Sequence, residues 1–140
     1  NLWDAAALSW RGKGFPDATF LDDLAELRAI VEPAGARLAA RRRTEADLAA
    51  LTEAIEQMDA AVGDVPATVE ADLAFHRALL AAAHNELLTG MEVVIEAGLR
   101  VRDSFVHGSD HAADDAIPAH RAVVDAIRAQ DPDAAAHAVE

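Results

Sequence analysis

The chain has 140 residues, no cysteine, and a formal net charge of −13 that results from 12 basic and 25 acidic residues. So acidic a surface repels nucleic acid and anionic membranes. The absence of cysteine excludes disulfides and thiolate metal sites. No apolar run approaches the ~18 residues that are needed to cross a bilayer. The length corresponds to one domain, and an Ala- and Leu-rich composition with few aromatic residues is typical of a helical bundle.

The N-terminal part of the chain predicts a short segment followed by one long helix. Residues 2–11 are predicted to form a short amphipathic segment that contains two tryptophans. The glycines and the proline that follow are predicted to end this segment. Asp17 is placed to cap a helix that continues to about Arg43. Pro33 falls inside this helix and should bend it.

The rest of the chain predicts five more helices with short connections. Thr44 and Asp47 fit a capping box, with Asp in place of the usual Glu, and so begin the second helix. Residues 63–66 (GDVP) break it. The later helices are predicted at about residues 68–84, 85–106 and 112–129, with a last one from residue 131. The whole pattern predicts an all-α antiparallel bundle.

Asp72 and His76 lie four residues apart in the third of these helices, so both side chains fall on one helix face. The same face carries Leu73, Leu80 and Ala83 and should turn toward the core. Burying a carboxylate and an imidazole costs free energy unless they are paired. They therefore form either a buried hydrogen-bonded pair, which the spacing alone favours, or part of a metal site.

His120 lies on the inward face of another predicted helix, beside Ile117 and Val124. Two imidazoles and one carboxylate suit Zn²⁺, Ni²⁺, Mn²⁺ or Fe²⁺ rather than Ca²⁺. The residues thus leave two interpretations open: a hydrogen-bonded core cluster, or a metal site formed by Asp72, His76 and His120.

Two arginines, Arg28 and Arg102, also fall on inward faces of their helices. A buried guanidinium needs an anion, and its planar fork suits a carboxylate. One interpretation is an internal salt bridge, for example between Arg28 and Asp72. The other is an acidic small-molecule ligand.

Four segments of the chain together resemble a known family. They are residues 1–10 (NLWDAAALSW), 23–33 (DLAELRAIVEP), 72–77 (DLAFHR) with the Asn85 that follows, and 119–123 (AHRAV) with 129–132 (AQDP). In order and spacing they resemble the C-terminal effector-binding (FCD) domain of GntR-family transcription regulators of the FadR type. The resemblance covers nearly the whole chain.

The resemblance implies an antiparallel bundle of six to seven helices that dimerises and holds a metal, often zinc, in a central pocket. The donor set leaves nickel, manganese and iron as alternatives to zinc. The family's ligands are an Asp and a His four residues apart, followed by two more histidines. Asp72, His76 and His120 match the first three. The fourth is expected just beyond Glu140, and His137 falls short of that place on a different side of its helix, so the chain departs from the full ligand set.

By the same resemblance, residues 1–14 are expected to be a linker helix following a winged-helix DNA-binding domain that this sequence does not contain. Residues 15–140 are expected to be the effector-binding and dimerisation domain, truncated at its C-terminus. The effector is expected to be a small organic or sugar acid, held by Arg28, Asn85 and Arg102 together with the metal. The protein is expected to be a cytoplasmic homodimer that contacts DNA only through the winged-helix domain and contacts no membrane.

Two other functions are compatible with the residues. A metal-bound water beside a carboxylate would suit a hydrolase, but no separate general base is identifiable once Asp72 is a metal ligand, and no catalytic residue is assigned. A metal-free helical dimerisation module would leave Asp72, His76 and His120 simply paired in the core.

Overall fold

The computed structural model describes residues 18–105 and 111–140, and all regular structure within these two ranges is α-helical. The helices are α1 (Ala18–Arg42), α2 (Glu45–Ala60), α3 (Val65–Ala81), α4 (Glu86–Phe105), α5 (His111–Arg128) and α6 (Pro132–Val139). The all-α prediction is thereby confirmed. The predicted linker helix at residues 1–14 and the Asp17 cap lie outside the described residues. Within those ranges, no helix is both long and apolar enough to cross a membrane.

Local sequence signals determine where the helices begin. The backbone N–H of Asp47 donates to the Thr44 hydroxyl at 3.1 Å, and the Thr44 N–H donates to the Asp47 carboxylate at 2.8 Å, which is the predicted capping box. α3 begins at Val65, about one turn earlier than predicted, because Asp64 caps it. Pro66 falls in the first turn, where its missing N–H has no helical partner to lose. The GDVP segment therefore starts α3 as well as ending α2.

Two arginines at the C-terminal end of α1 bind the C-terminal ends of two other helices. Arg42 Nη1 donates to the carbonyl oxygen of Ala83 at 3.1 Å, and Arg43 Nη2 donates to that of Arg128 at 2.8 Å. Cations suit the last turn of a helix because its carbonyls lack helical partners. The C-terminal ends of α1, α3 and α5 thus meet at one end of the bundle, with the intervening helices running in the opposite direction.

The connection between α5 and α6 is a Schellman turn. Gln130 adopts φ +55°, and its N–H donates to the carbonyl of Ile127 at 3.0 Å. The N–H of Asp131 donates to the carbonyl of Ala126, also at 3.0 Å. Because the Asp131 side chain caps α6 as well, the same residue ends one helix and begins the next.

The apolar side chains form two cores that share α1 and α3. The α2-side core packs α2, α5 and α6 against these helices, and its members include Leu51, Ile55, Phe75, Leu79, Val123 and Ile127. The α4-side core packs α4 against them, and its members include Phe20, Leu24, Val31, Leu73, Ile95 and Leu99. Glu32 and His76 are buried on the two shared helices. A polar cluster therefore lies where the two cores meet.

Candidate metal centre

The structure brings together the three predicted metal ligands, Asp72 and His76 from α3 and His120 from α5. Oδ1 of Asp72 lies 3.5 Å from Nε2 of His76 and 3.4 Å from Nε2 of His120. The candidate ligand atoms of all three side chains lie within 4.8 Å of one another. Two helices, α3 and α5, thus present one carboxylate and two imidazoles to a common point.

The spacing of these atoms is compatible with a bound metal as well as with long hydrogen bonds. An N–H···O hydrogen bond in proteins usually measures about 2.7–3.2 Å between heavy atoms, and both Asp72 distances are longer. Bonds of about 2.0–2.2 Å from a tetrahedral zinc ion to oxygen and nitrogen place the ligand atoms roughly 3.4 Å apart. The donor set, one carboxylate oxygen and two imidazole nitrogens, is also one that zinc accepts.

His120 is oriented by its own helix and by an aromatic ring. Its Nδ1 lies 2.6 Å from the carbonyl oxygen of Ala116, which can only accept, so Nδ1 carries the proton. Nε2 is then the atom with the free lone pair, and it is the one that faces Asp72. The ring stands at 88° to Phe75, with 4.3 Å between centroids, in an edge-to-face contact.

His76 is oriented by Glu32, which was not predicted as a site residue. Nδ1 of His76 lies 3.1 Å from Oε2 of Glu32, and Nε of Arg28 donates to the other oxygen, Oε1, at 2.5 Å. Glu32 is only 7% exposed. The sequence held a signal, because Arg28 and Glu32 are four residues apart on α1 and can pair on one helix face.

The electrostatics of the cluster follow from these contacts. Burial would raise the pKa of Asp72, but the two imidazoles outweigh it and hold that pKa well below its usual range. Burial would lower the pKa of His76, but Asp72 and Glu32 raise it to about 9. In the same way, His76 and Arg28 outweigh burial and lower the pKa of Glu32. Without a metal, His76 is therefore an imidazolium between two carboxylates.

The three predicted effector residues have different surroundings. Arg28 joins the cluster through Glu32, so its observed salt bridge is with that residue and not with Asp72. The Asn85 side chain accepts from two backbone N–H groups in the first turn of α4, at 3.0 and 3.2 Å. Arg102 pairs with the adjacent Asp103 at 2.9 Å and is one-third exposed. Among the described side chains, only Arg28 of these three is connected to the cluster by direct contacts.

His137, the histidine nearest in sequence to the position expected for a fourth ligand, is not part of the cluster. Its side chain is 89% exposed, and its Nδ1 lies 3.9 Å from a carboxylate oxygen of Glu140. It therefore points away from the core, as its position in the sequence predicted.

A second buried carboxylate, Glu92 on α4, was also not predicted from the sequence. Within the described part of the chain, its Oε1 has no hydrogen-bond partner, and Nε of Arg77 lies 3.9 Å away. Arg77 pairs instead with Glu96 at 2.6 Å. Burial, together with the neighbouring Glu96, raises the pKa of Glu92 to about 7.

Comparison with protein families matches residues 23–140 to the FCD domain. Over 139 residues the chain is 36% identical to the galactonate operon transcriptional repressor of Escherichia coli K12. That alignment covers 99% of the chain and 61% of the repressor. The chain thus spans less than two thirds of the length of this relative.

Two solved structures share the fold. The GntR protein of Streptococcus agalactiae is 31% identical with a TM-score of 0.72, over 86% of this chain and 54% of that one. The McbR/YncC protein of E. coli has a TM-score of 0.74 at 21% identity, over 87% of this chain and 63% of that one. The second likeness bears on the fold alone.

Proposed function

Because the chain belongs to the FCD domain family, we propose that it is the sensing and dimerisation domain of a GntR-type transcription regulator. The similar proteins are named as transcriptional repressors and regulators, so the domain is regulatory and not an enzyme. In this proposal a small organic or sugar acid binds at a metal-containing pocket and changes how a winged-helix domain, joined through residues 1–14, binds DNA. Such coupling requires the acid to bind one arrangement of the protein more tightly than another.

The observation that carries the proposal is the convergence of Asp72, His76 and His120 on one point. These three residues would hold the metal, most suitably zinc, with remaining positions open to water or to the acid. A bound divalent ion would supply a positive charge to which a carboxylate can coordinate. Glu32 and the Ala116 carbonyl keep the two imidazoles turned with Nε2 toward that point.

The same proposal assigns the acid's other contacts to Arg28, Asn85 and Arg102. Arg28 is the best supported of these, because it is adjacent to the cluster and Glu32 engages only its Nε among the five N–H donors of a guanidinium. The relative named for the galactonate operon supports a sugar acid as the class of effector, since galactonate is one.

The metal part of the proposal is tested by elemental analysis of the purified full-length protein. We expect near-stoichiometric zinc or another divalent metal in the native protein and none after His76→Ala. His137→Ala is the matched control, because that imidazole is exposed and its loss should leave the metal content unchanged. A metal-free native protein would instead support the helical dimerisation module with a hydrogen-bonded polar cluster.

The effector part is tested by thermal unfolding of the metal-loaded protein with galactonate and gluconate. A ligand that binds only the folded state raises the unfolding midpoint as its concentration exceeds its dissociation constant. We expect the acids to raise the midpoint and glucose, which lacks the carboxylate, to have no effect. Equal effects of acid and neutral sugar would contradict the assignment of an acidic effector.

A further inference from the structure

Glu32 contacts the candidate metal centre without being one of its ligands. Its two carboxylate oxygens have separate partners, Oε1 with Nε of Arg28 at 2.5 Å and Oε2 with Nδ1 of His76 at 3.1 Å. The side chain is 9% exposed, and the His76 side chain is 11% exposed. A buried carboxylate with both oxygens engaged has a fixed orientation, so the hydrogen bond to His76 is fixed as well.

We propose that Glu32 is a positioning residue that sets the metal affinity of this site through His76, an inference that rests on the proposed metal function. By accepting from Nδ1, Glu32 fixes the proton of the neutral imidazole on that atom and leaves the Nε2 lone pair for the ion. A carboxylate in this position also makes the imidazole a stronger donor to a metal. Arg28 holds Glu32 in place and balances its charge.

The two imidazoles of the site differ in this respect. His120 donates its Nδ1 proton to the neutral carbonyl of Ala116, whereas His76 faces an anion. Both contacts select the same tautomer, but only the one at His76 adds negative charge behind the ring. The removal of that charge should therefore affect His76 and leave His120 nearly as it is.

The first test is zinc affinity, measured by chelator competition on the full-length protein carrying Glu32→Gln. Gln keeps the shape and an acceptor oxygen but loses the charge. Mutation of a residue that hydrogen-bonds to a metal ligand typically weakens metal binding by ~10–100-fold, and we expect about 10-fold weaker zinc binding here. Glu56→Gln is the control, because it removes the same charge from the exposed face of α2, a helix that supplies no ligand. Its zinc affinity should equal that of the native protein.

The second test reads the imidazoles directly, by ¹⁵N NMR of the histidine rings in zinc-loaded protein. We expect Glu32→Gln to shift the Nδ1 signal and the bonded proton of His76 while the signals of His120 stay unchanged. A residue that merely stabilises the fold would lower the unfolding midpoint without this selective change. Glu32→Asp, which restores the charge on a shorter side chain, should recover part of the affinity.

The outcomes separate this inference from the function on which it rests. Zinc bound by the native protein but equally tightly by Glu32→Gln, with unchanged His76 signals, would overturn the role of Glu32 and leave the metal site standing. If the native protein does not bind zinc, both the metal site and the role of Glu32 are wrong.

Discussion

At the scale of single residues, two buried glutamates show how partners decide the state of a charge. Glu32 lies between Arg28 and His76, and these two cations outweigh burial and lower its pKa. Glu92 is equally buried but lies beside another carboxylate, so burial and Glu96 raise its pKa. The same side chain is therefore ionised in one place and costly to ionise in the other.

Glu92→Gln is predicted to stabilise the protein increasingly as the pH rises from 5 to 8. In the unfolded chain a glutamate ionises near pH 4.5, whereas Glu92 in the folded protein ionises near pH 7. Between these values the folded state binds more protons at Glu92, so the contribution of this residue to the stability of the native protein falls as the pH rises. Gln does not ionise, and the variant should gain on the order of 1–3 kcal/mol over the native protein by pH 8.

Urea unfolding at several pH values measures this difference. Glu56→Gln, on the exposed face of α2, is the control and should show no gain that grows with pH. A constant difference between Glu92→Gln and the native protein from pH 5 to 8 would contradict the prediction.

At the scale of elements, the ends of the helices are specified by short local signals. The Thr44 and Asp47 capping box begins α2, and the turn at Gln130 and Asp131 both ends α5 and begins α6. Gln130 occupies the left-handed conformation at φ +55°, which glycine adopts without the steric cost that a Cβ adds.

Gln130→Gly is accordingly predicted to stabilise the protein. Relief of the left-handed conformation gains roughly 1–2 kcal/mol, and the extra freedom of glycine in the unfolded chain removes about 0.5–1 kcal/mol of that. The net gain of about 0.5–1 kcal/mol should raise the thermal midpoint by about 2–4 °C.

The same substitution elsewhere provides the control. Gln57 lies on the exposed side of α2 in ordinary helical conformation, so Gln57→Gly should destabilise the protein by about 1 kcal/mol. If both variants were destabilised to the same extent, the backbone conformation of Gln130 would not be the cause.

At the scale of the whole molecule, the candidate metal site lies between helices of the two apolar cores. Asp72 and His76 lie on α3, which belongs to both cores, and His120 lies on α5, which belongs to the α2-side core. Glu32 adds α1, the other shared helix. A metal at this point would join α3 and α5 directly, and α1 through the contact between Glu32 and His76.

Zinc is therefore predicted to slow amide hydrogen exchange unevenly. Exchange reports local opening, so we expect the largest protection in α3 and α5, which supply the ligands, and less in α2, which supplies none. The comparison is made by mass spectrometry with and without zinc, and His76→Ala should abolish the difference. Uniform protection of all helices would argue against a site between α3 and α5.

Much of this fold was predictable because its signals are local. Helix periodicity and caps predicted six helices at nearly their observed limits, and the three candidate ligands were predicted from their inward faces and the family resemblance. The start of α3 was predicted too late because residues 63–66 were interpreted only as a helix break, although Asp64 and Pro66 also suit a helix start.

What depended on packing could not be predicted in the same way. Glu92 and Glu96 are four residues apart on one helix, and only the rotation of α4 against its neighbours buries the first of them. The sequence predicted Asp72 as one possible partner of Arg28 and did not identify Glu32. In the structure Arg28 pairs with Glu32, and His76 contacts the other oxygen of that carboxylate.

The contacts of Arg42 and Arg43 limit how the bundle can move. They pin the C-terminal ends of α3 and α5 to the C-terminal end of α1, so these helices cannot slide along one another without losing those bonds. The remaining relative movement of these helices is a change in the angles between them, with the joined C-terminal ends as the pivot. The displacement would be greatest at the opposite end of the bundle, where α1 begins at Ala18.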